Sequence, residues 1–414
     1  MVSAEVTMIN SDSSANTEKS TMNRVDIQKF VFSRKLRVCF VMNIAPLYRK
    51  AVLELLDKDN DIDFFFYSGD ISVDIDALYD MRNLSGFRGY LRNRYNGNKL
   101  VWQKGWWKPL FGKYNVFILT GNPGIRSNWF LTFFARLMGK KVYLWSHGLY
   151  GNESSVTLKK NMGYMRFSGN LFLYGNYARK KLLAKKFPQE RISVVYNSLD
   201  YDRQKLLRDR YVNAGFMRNY FGNDFPVAAF IGRLTPQKSL HLLIEAVGIL
   251  KLEGVDVNII FVGSGDETER QLQELAVKVG VDDRVWFYGE CYDEEMIACI
   301  LQNSALCVSP GNVGLTAIHA LTYGIPVITH NLFREQMPEF EAVRPGYTGD
   351  FFKYNDSLSL AEHIERWLKI MGDKEKREKV KKSCYRLIDG VYNPHNQLAV
   401  MKRRLISDNF PVKR

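Results

Sequence analysis

Apolar residues in this chain fall into two patterns, short runs that are almost uninterrupted and longer stretches where they recur every three or four positions. Leu36-Arg37-Val38-Cys39-Phe40-Val41-Met42 is the first such run. Asp63-Phe64-Phe65-Phe66-Tyr67, Val116-Phe117-Ile118-Leu119-Thr120, Val142-Tyr143-Leu144-Trp145-Ser146, Leu171-Phe172-Leu173-Tyr174 and Ile192-Ser193-Val194-Val195 follow. Runs rich in β-branched and aromatic residues that stay apolar on both faces read as strands of a parallel sheet covered by helices. After the first run, Asn43-Ile44-Ala45-Pro46-Leu47-Tyr48-Arg49 opens a helix that continues through Leu53-Glu54-Leu55-Leu56. Loops after later strands carry polar or glycine residues: Gly121-Asn122-Pro123-Gly124, His147-Gly148 and Gly175-Asn176.

The second half repeats the rhythm with more glycine. The strand over Ala228, Phe230 and Ile231 ends in Gly232-Arg233-Leu234. Phe261-Val262 ends in Gly263-Ser264-Gly265, and Ser309-Pro310-Gly311-Asn312-Val313-Gly314-Leu315-Thr316 precedes Gly324-Ile325-Pro326-Val327-Ile328. In a doubly wound sheet these strand ends form the ligand edge, where small residues let a backbone approach phosphate closely. Arg233 and Lys238, just past one strand end, supply two cations for a diphosphate, and a helix starting near Leu315 aims free N–H groups at the same anion. Any single loop of this kind also occurs for purely structural reasons. The ordered set is more specific.

That set, Arg233 with Lys238, Val262-Gly263-Ser264-Gly265, the Gly314 loop and Gly324-Ile325-Pro326-Val327, resembles the C-terminal domain of retaining glycosyltransferases of family 4. The likeness is strong over residues 225–390 and looser before them. It implies the GT-B fold, in which two Rossmann-like, doubly wound parallel-sheet domains face a central cleft. The resemblance divides the chain into a polar extension expected to be mobile (1–34), an acceptor domain (35–200), a connection (201–224), a nucleotide-sugar domain (225–390) and a helix crossing back to the first domain (391–414). Tyr196-Asn197-Ser198-Leu199-Asp200 resembles the segment that closes the first domain. By the same likeness Gly232, Gly263, Asn312, Val313, Gly314, Leu315, Thr316 and His319 bind donor, while His147, Arg233 and Lys238 carry catalysis. Asn43, Tyr48 and Arg49 stand where an acceptor enters.

One departure is sharp. Family members carry one Glu at the start of the glycine-bearing loop, contacting the donor sugar, and another eight positions later, contacting ribose. Here Gly311 and His319 occupy those positions. His319 retains hydrogen-bonding capacity toward a ribose hydroxyl, or is simply a packed helix residue. Gly311 offers no side chain, leaving Asn312 and His330-Asn331 as nearby sugar contacts. His147 ends an apolar strand beside Gly148, where the likeness places a His near the bond being broken, and an imidazole there is expected to change charge near physiological pH.

Composition narrows the class. At 414 residues and 46% hydrophobic, the chain fits two cores. No apolar run reaches the length of about 18 residues that suggests a spanning helix, and 1–37 lacks the apolar core of a secretory signal. Cys39, Cys291, Cys299, Cys307 and Cys384 follow neither metal-ligand nor disulfide spacing, with Cys39 and Cys307 inside expected strands. A reducing cytoplasm is the resulting expectation; the reaction is expected to be metal-independent because Arg233, Lys238 and the Val313-Gly314-Leu315 backbone would stabilise the leaving diphosphate. Lys plus Arg outnumber Asp plus Glu by 58 to 44, a formal charge of +14, which favours anionic partners. Residues 82–113 contain no acid, and Arg88, Arg92, Arg94, Lys99, Lys104 and Lys108 alternate with Tyr90, Tyr95, Trp102, Trp106, Trp107 and Phe111. The mixture suits peripheral contact with an anionic membrane at the inner face of the plasma membrane, and equally a solvated basic loop with core tryptophans. Stacking on single-stranded nucleic acid uses the same chemistry, but no nucleic-acid module accompanies it.

The functional expectation is transfer of a sugar from a nucleoside diphosphate sugar, UDP- or GDP-linked, to a glycan or lipid-linked acceptor in surface polysaccharide synthesis. The resemblance implies retention of configuration. A sugar-nucleotide epimerase, a non-catalytic nucleotide-sugar-binding protein and a basic nucleic-acid-binding protein are the competing readings.

Overall fold

The computed structural model describes residues 35–73, 77–212 and 215–410, so the extension expected over 1–34 lies outside the described residues. The first sheet holds β1 (Leu36–Met42), β2 (Ile62–Gly69), β3 (Phe87–Asn96), β4 (Lys99–Lys104), β5 (Val116–Thr120), β6 (Lys141–Ser146), β7 (Gly169–Leu173) and β8 (Ile192–Val194). Their order is β4-β3-β2-β1-β5-β6-β7-β8, and every pair is parallel except β3 with β4. The second sheet holds β9 (Val227–Ile231), β10 (Asn258–Val262), β11 (Val285–Gly289), β12 (Leu306–Ser309), β13 (Val327–His330) and β14 (Gly349–Phe352). It is wholly parallel, in the order β11-β10-β9-β12-β13-β14. Strand order reverses between β1 and β5 and between β9 and β12, which opens a crevice at the C-terminal ends of both sheets.

Side-chain alternation along β1 assigns its residues to two layers: Val38, Phe40 and Met42 join one core, Cys39 and Val41 the other. The helix Pro394–Asn409 adds Met401 and Leu405 to the layer of Val38 and Phe40, so the chain end covers the first sheet. Lys402 fixes it there, its Nζ 2.6 Å from carboxylate oxygens of both Asp59 and Asp61. The segment before β9 is helical over Tyr201–Leu207 and Phe216–Phe221 and buries Tyr201, Leu207 and Met217 in the second core. Glu341 of the second domain accepts the N–H groups of Asn176 (2.8 Å) and Tyr177 (2.5 Å), where the first-domain helix Asn176–Ala184 leaves donors without intrahelical partners.

Two expectations need correction. Residues 82–113 contain a β-hairpin, not a solvated loop, because Arg88, Arg92 and Arg94 alternate with buried Leu91 and Asn93 and the chain reverses at Gly97. Its tryptophans are not simply core, since Trp107 is exposed and Trp102 and Trp106 are half-buried. The helix after β1 also starts later than expected: Pro46 lacks an N–H and is extended, a single 3-10 turn spans Leu47–Arg49, and the α-helix runs Lys50–Asp57. All five cysteines are free, with Cys39 and Cys307 fully buried. Among the described residues no helix is long and apolar enough to cross a membrane.

Candidate functional site

The cradle begins with two strand ends held side by side. Gly232 donates its N–H to Val262 O (2.9 Å), and Leu234 donates to Ser264 O (2.8 Å). Gly263 has φ +147°, and a Cβ there would stand 1.9 Å from Gly232 O, so no other residue lets the chains run this close. Beyond them opens a cleft of about 730 Å³ that spans the domains. Gly232, Arg233, Gly263, Leu315, Thr316 and His319 line it from the second domain; Leu47, Tyr48 and Lys50 line it from the first. Tyr48, placed by the sequence with the acceptor, thus shares a cavity with donor-side residues. Another cavity, of about 620 Å³, opens at the far end of the second sheet beside Pro226, Val227 and Ala305, away from the glycine-bearing strand ends.

Lys238 is not among the residues that line this cleft; it is tethered to the loop that precedes the helix Leu315–Thr322. Its Nζ donates to the backbone O (2.7 Å) and Oδ1 (2.9 Å) of Asn312, leaving one ammonium hydrogen for a further acceptor. Burial, then the charge of Arg233, pushes its pKa down to about 8. Asn312 therefore orients the cation. Gly314 is the N-cap of the helix Leu315–Thr322; its carbonyl takes the Ala317 N–H (3.0 Å), so the N–H groups of Leu315 and Thr316 are the helix-start donors left without an intrahelical acceptor. Val313 is different: its N–H is taken by Gln336 Oε1 at 2.7 Å, while Gln336 Nε2 donates to Thr329 Oγ1 and His330 O. The backbone donation expected from Val313 is thus already committed within the fold. Thr316 Oγ1 likewise donates to Ile231 O (2.7 Å) and closes the end of β9.

At Gly311 the structure gives a physical reason for the absent side chain. A Cβ would lie 2.1 Å from Gln237 O and 2.6 Å from the Lys238 backbone, and Gly311 N donates to Lys238 O at 2.7 Å. At His319 a carboxylate is present after all, on another helix. Glu294, at the start of the helix Glu294–Gln302, receives His319 Nε2 (2.8 Å), the Tyr323 hydroxyl (2.5 Å) and Gln204 Nε2 (3.2 Å) on one oxygen, and it lines the cleft. Burial works to raise the Glu294 carboxyl, but His319, Tyr323 and Gln204 outweigh it and hold the group below the ordinary glutamate value. Sequence reading missed Glu294, which looks like an acidic residue favouring a helix N-terminus.

The first-domain residues form a second cluster. Arg49 Nη2 donates to the Tyr174 hydroxyl (2.6 Å), and its guanidinium lies 4.4 Å from the Trp145 ring centroid. His147 packs 4.8 Å from Tyr174, ring to ring, with Nδ1 buried and unpartnered. Burial first, and Arg49 second, pushes the imidazole pKa down to about 4. His147 is accordingly neutral throughout the physiological range, contrary to the expected titration near neutral pH. Asn43 is committed to scaffolding: its N–H donates to Thr120 Oγ1 (3.0 Å), its Oδ1 accepts from the same hydroxyl (3.1 Å), and its carbonyl accepts from Asn93 (2.9 Å).

Between the clusters lies Glu339, also unread in the sequence. It is 2% exposed, accepts from Asn197 Nδ2 at 2.8 Å, and keeps Oε2 buried without a partner. Burial raises its carboxyl, partly offset by Asn197 and Lys238, and its charge acts on both Arg49 and Lys238. His330, suggested as a sugar contact, is 1% exposed with Nδ1 accepting from Leu332 N–H (3.1 Å).

Residues 217–386 match the family model for glycosyl transferases group 1. A 41.2 kDa protein in the cps region of Klebsiella pneumoniae is 27% identical over 180 residues, 43% of this chain and 46% of that protein. The chain spans less than half the length of the curated relatives it matches first. A glycosyltransferase from Rickettsia africae superimposes with TM-score 0.68 over 92% of this chain and 100% of its own, at 15% identity. Anabaena Alr3699/HepE, solved in complex with UDP, gives TM-score 0.67 over 90% and 100%, at 16% identity. These likenesses establish the GT-B fold of two parallel-sheet α/β domains.

Proposed function

We propose that this protein is a glycosyltransferase that moves a sugar from a nucleoside diphosphate sugar to a glycan or lipid-linked acceptor in surface polysaccharide synthesis. The observation that carries the reading is the interdomain cleft in which Gly232, Arg233, Gly263 and the start of the helix Leu315–Thr322 converge. Two cations and a helix N-terminus facing small residues are suited to a diphosphate. The match of residues 217–386 to glycosyl transferases group 1, and the UDP held by the Anabaena neighbour of like fold, support the donor class.

As the bond from the anomeric carbon to the phosphate oxygen breaks, charge gathers on the departing diphosphate. Arg233, the remaining donor of Lys238 and the first-turn N–H groups stabilise that charge in place of a metal ion. His147, neutral, hydrogen-bonds a sugar hydroxyl without adding positive charge beside the developing oxocarbenium ion. Glu339 holds the opposite sign between Arg49 and Lys238. The acceptor hydroxyl attacks the face vacated by the phosphate, which takes its proton, so configuration is retained. Glu294 and His319 together address the ribose.

The deciding experiment is calorimetric binding of UDP, GDP and dTDP, followed by product analysis with the matching sugar donors and with free and lipid-linked glycan acceptors. A new glycoside with retained configuration is expected. Epimerised sugar, or binding with no turnover on any acceptor, would replace the proposal with one of its competitors.

A further inference from the structure

The helix Arg126–Leu137 is turned the wrong way for a soluble surface. It buries Ser127, Asn128, Thr132 and two aliphatic residues against the sheet, and it points Phe130, Phe133, Phe134 and Leu137 outward. Phe133 is 50% and Leu137 72% exposed. These positions form a single stripe at helical spacing, which an ordinary surface helix would fill with polar side chains.

The stripe is continuous with the hairpin. Trp106 lies 5.7 Å from Phe130 and 5.9 Å from Phe134, ring to ring, and Trp102 lies 5.6 Å from Phe130. Strand register puts cations on the same face: Arg92 is directly opposite Lys104, and Arg94 directly opposite Trp102. Like charges facing each other across a hairpin are destabilising. Among the described residues neither Arg92, Arg94 nor Lys104 has an ion-pair partner. From Asp80 to Glu153 the sequence between holds no acidic residue. Phe111, 85% exposed, and Trp107 extend the apolar surface at its edge.

We infer that this face of the first domain seats on an anionic lipid surface, with the Phe133–Leu137 stripe and Trp107 inserted at the headgroup boundary and the hairpin cations on lipid phosphates. An apolar patch with unpaired cations on the adjoining hairpin face is the complement of such a surface. A second copy of the chain is the wrong occupant, because a symmetric contact would set the same unpaired cations against each other. The hairpin also bonds to the loop after β1, through Gln103 Nε2 to Met42 O (3.1 Å) and Asn93 Nδ2 to Asn43 O (2.9 Å). The lipid-facing patch is therefore joined to the end of the first sheet that borders the interdomain cleft.

Sedimentation with phosphatidylcholine vesicles, with and without phosphatidylglycerol, tests this without donor or acceptor, so it stands apart from the catalytic reading. The full chain should bind only vesicles containing phosphatidylglycerol, and less as salt rises. Replacing Arg92, Arg94 and Lys104 together by Gln should weaken partitioning roughly a hundredfold. Phe133→Glu with Leu137→Glu should weaken it roughly tenfold or more. Leu252→Glu, at an exposed leucine of the other domain, should change nothing. Thermal melting of each variant, expected within a few degrees of the parent, separates lost contact from lost fold. Failure of the parent to bind at low salt overturns the inference. So does binding to an RNA oligonucleotide in preference to vesicles, or self-association abolished by the Phe133 and Leu137 changes.

Discussion

Glu294 and His319 sit on neighbouring helices, 25 residues apart in sequence, and meet at 2.8 Å on the wall of the interdomain cleft. Tyr323 and Gln204 add donors to the same carboxylate oxygen. Glu294 thus gives this wall a carboxylate held in a defined direction. Glu294→Gln removes the charge while keeping an acceptor for Tyr323, so folding should be preserved and nucleoside diphosphate affinity should fall about tenfold, the worth of a charge-assisted hydrogen bond. His319→Ala should lower affinity similarly. If calorimetry finds both variants unchanged, the pair is only a tie between helices.

Arg233→Ala and Lys238→Ala should each reduce donor turnover roughly ten- to hundredfold, since one charge-assisted contact to a diphosphate is worth about 1.5–3 kcal/mol. Circular dichroism should show an intact fold for both. Turnover near that of the parent in both variants would remove the proposed cradle.

Lys238 also predicts a pH dependence. Its pKa is lowered to about 8, so the ammonium that meets phosphate loses its proton as pH rises through that value. Nucleoside diphosphate affinity should therefore decline above about pH 8, and Lys238→Arg should flatten the decline because a guanidinium stays charged. For stability the sign is opposite. The unfolded chain holds this proton more tightly than the folded one, so the charged residue costs stability at and below about pH 8. Lys238→Met should then melt no lower than the parent at neutral pH while losing nucleotide affinity. An affinity that is level from pH 6 to 9, measured by titration calorimetry, would contradict the assignment.

Restoring a carboxylate at Gly311 should harm the protein. Even a Cβ would approach Gln237 O to 2.1 Å, so Gly311→Glu must displace the Lys238 turn, at about 1–3 kcal/mol or more. A lowered Tm and no gain in turnover are expected. A variant that melts like the parent and turns over faster would show that the loop yields easily.

Much of the architecture was legible in the residues alone. β1 spans Leu36–Met42 as its apolar run indicates, and Gly263 and Gly265 after β10 sit where two chains approach too closely for a side chain. The hairpin was legible but unread: its alternation of cations with Leu91 and Asn93 is a strand signal, masked by the density of charge. Local pattern determines such elements because backbone sterics and side-chain burial act over a few neighbouring residues. Tertiary structure alone decided the rest. Glu294 reaches His319, Glu339 lies between Arg49 and Lys238, and Gln336 claims the Val313 N–H, each across a separation that periodicity cannot encode. The neutrality of His147 was likewise invisible, because its cause is burial beside Arg49, a property of the packed domain and not of the strand end that carries it.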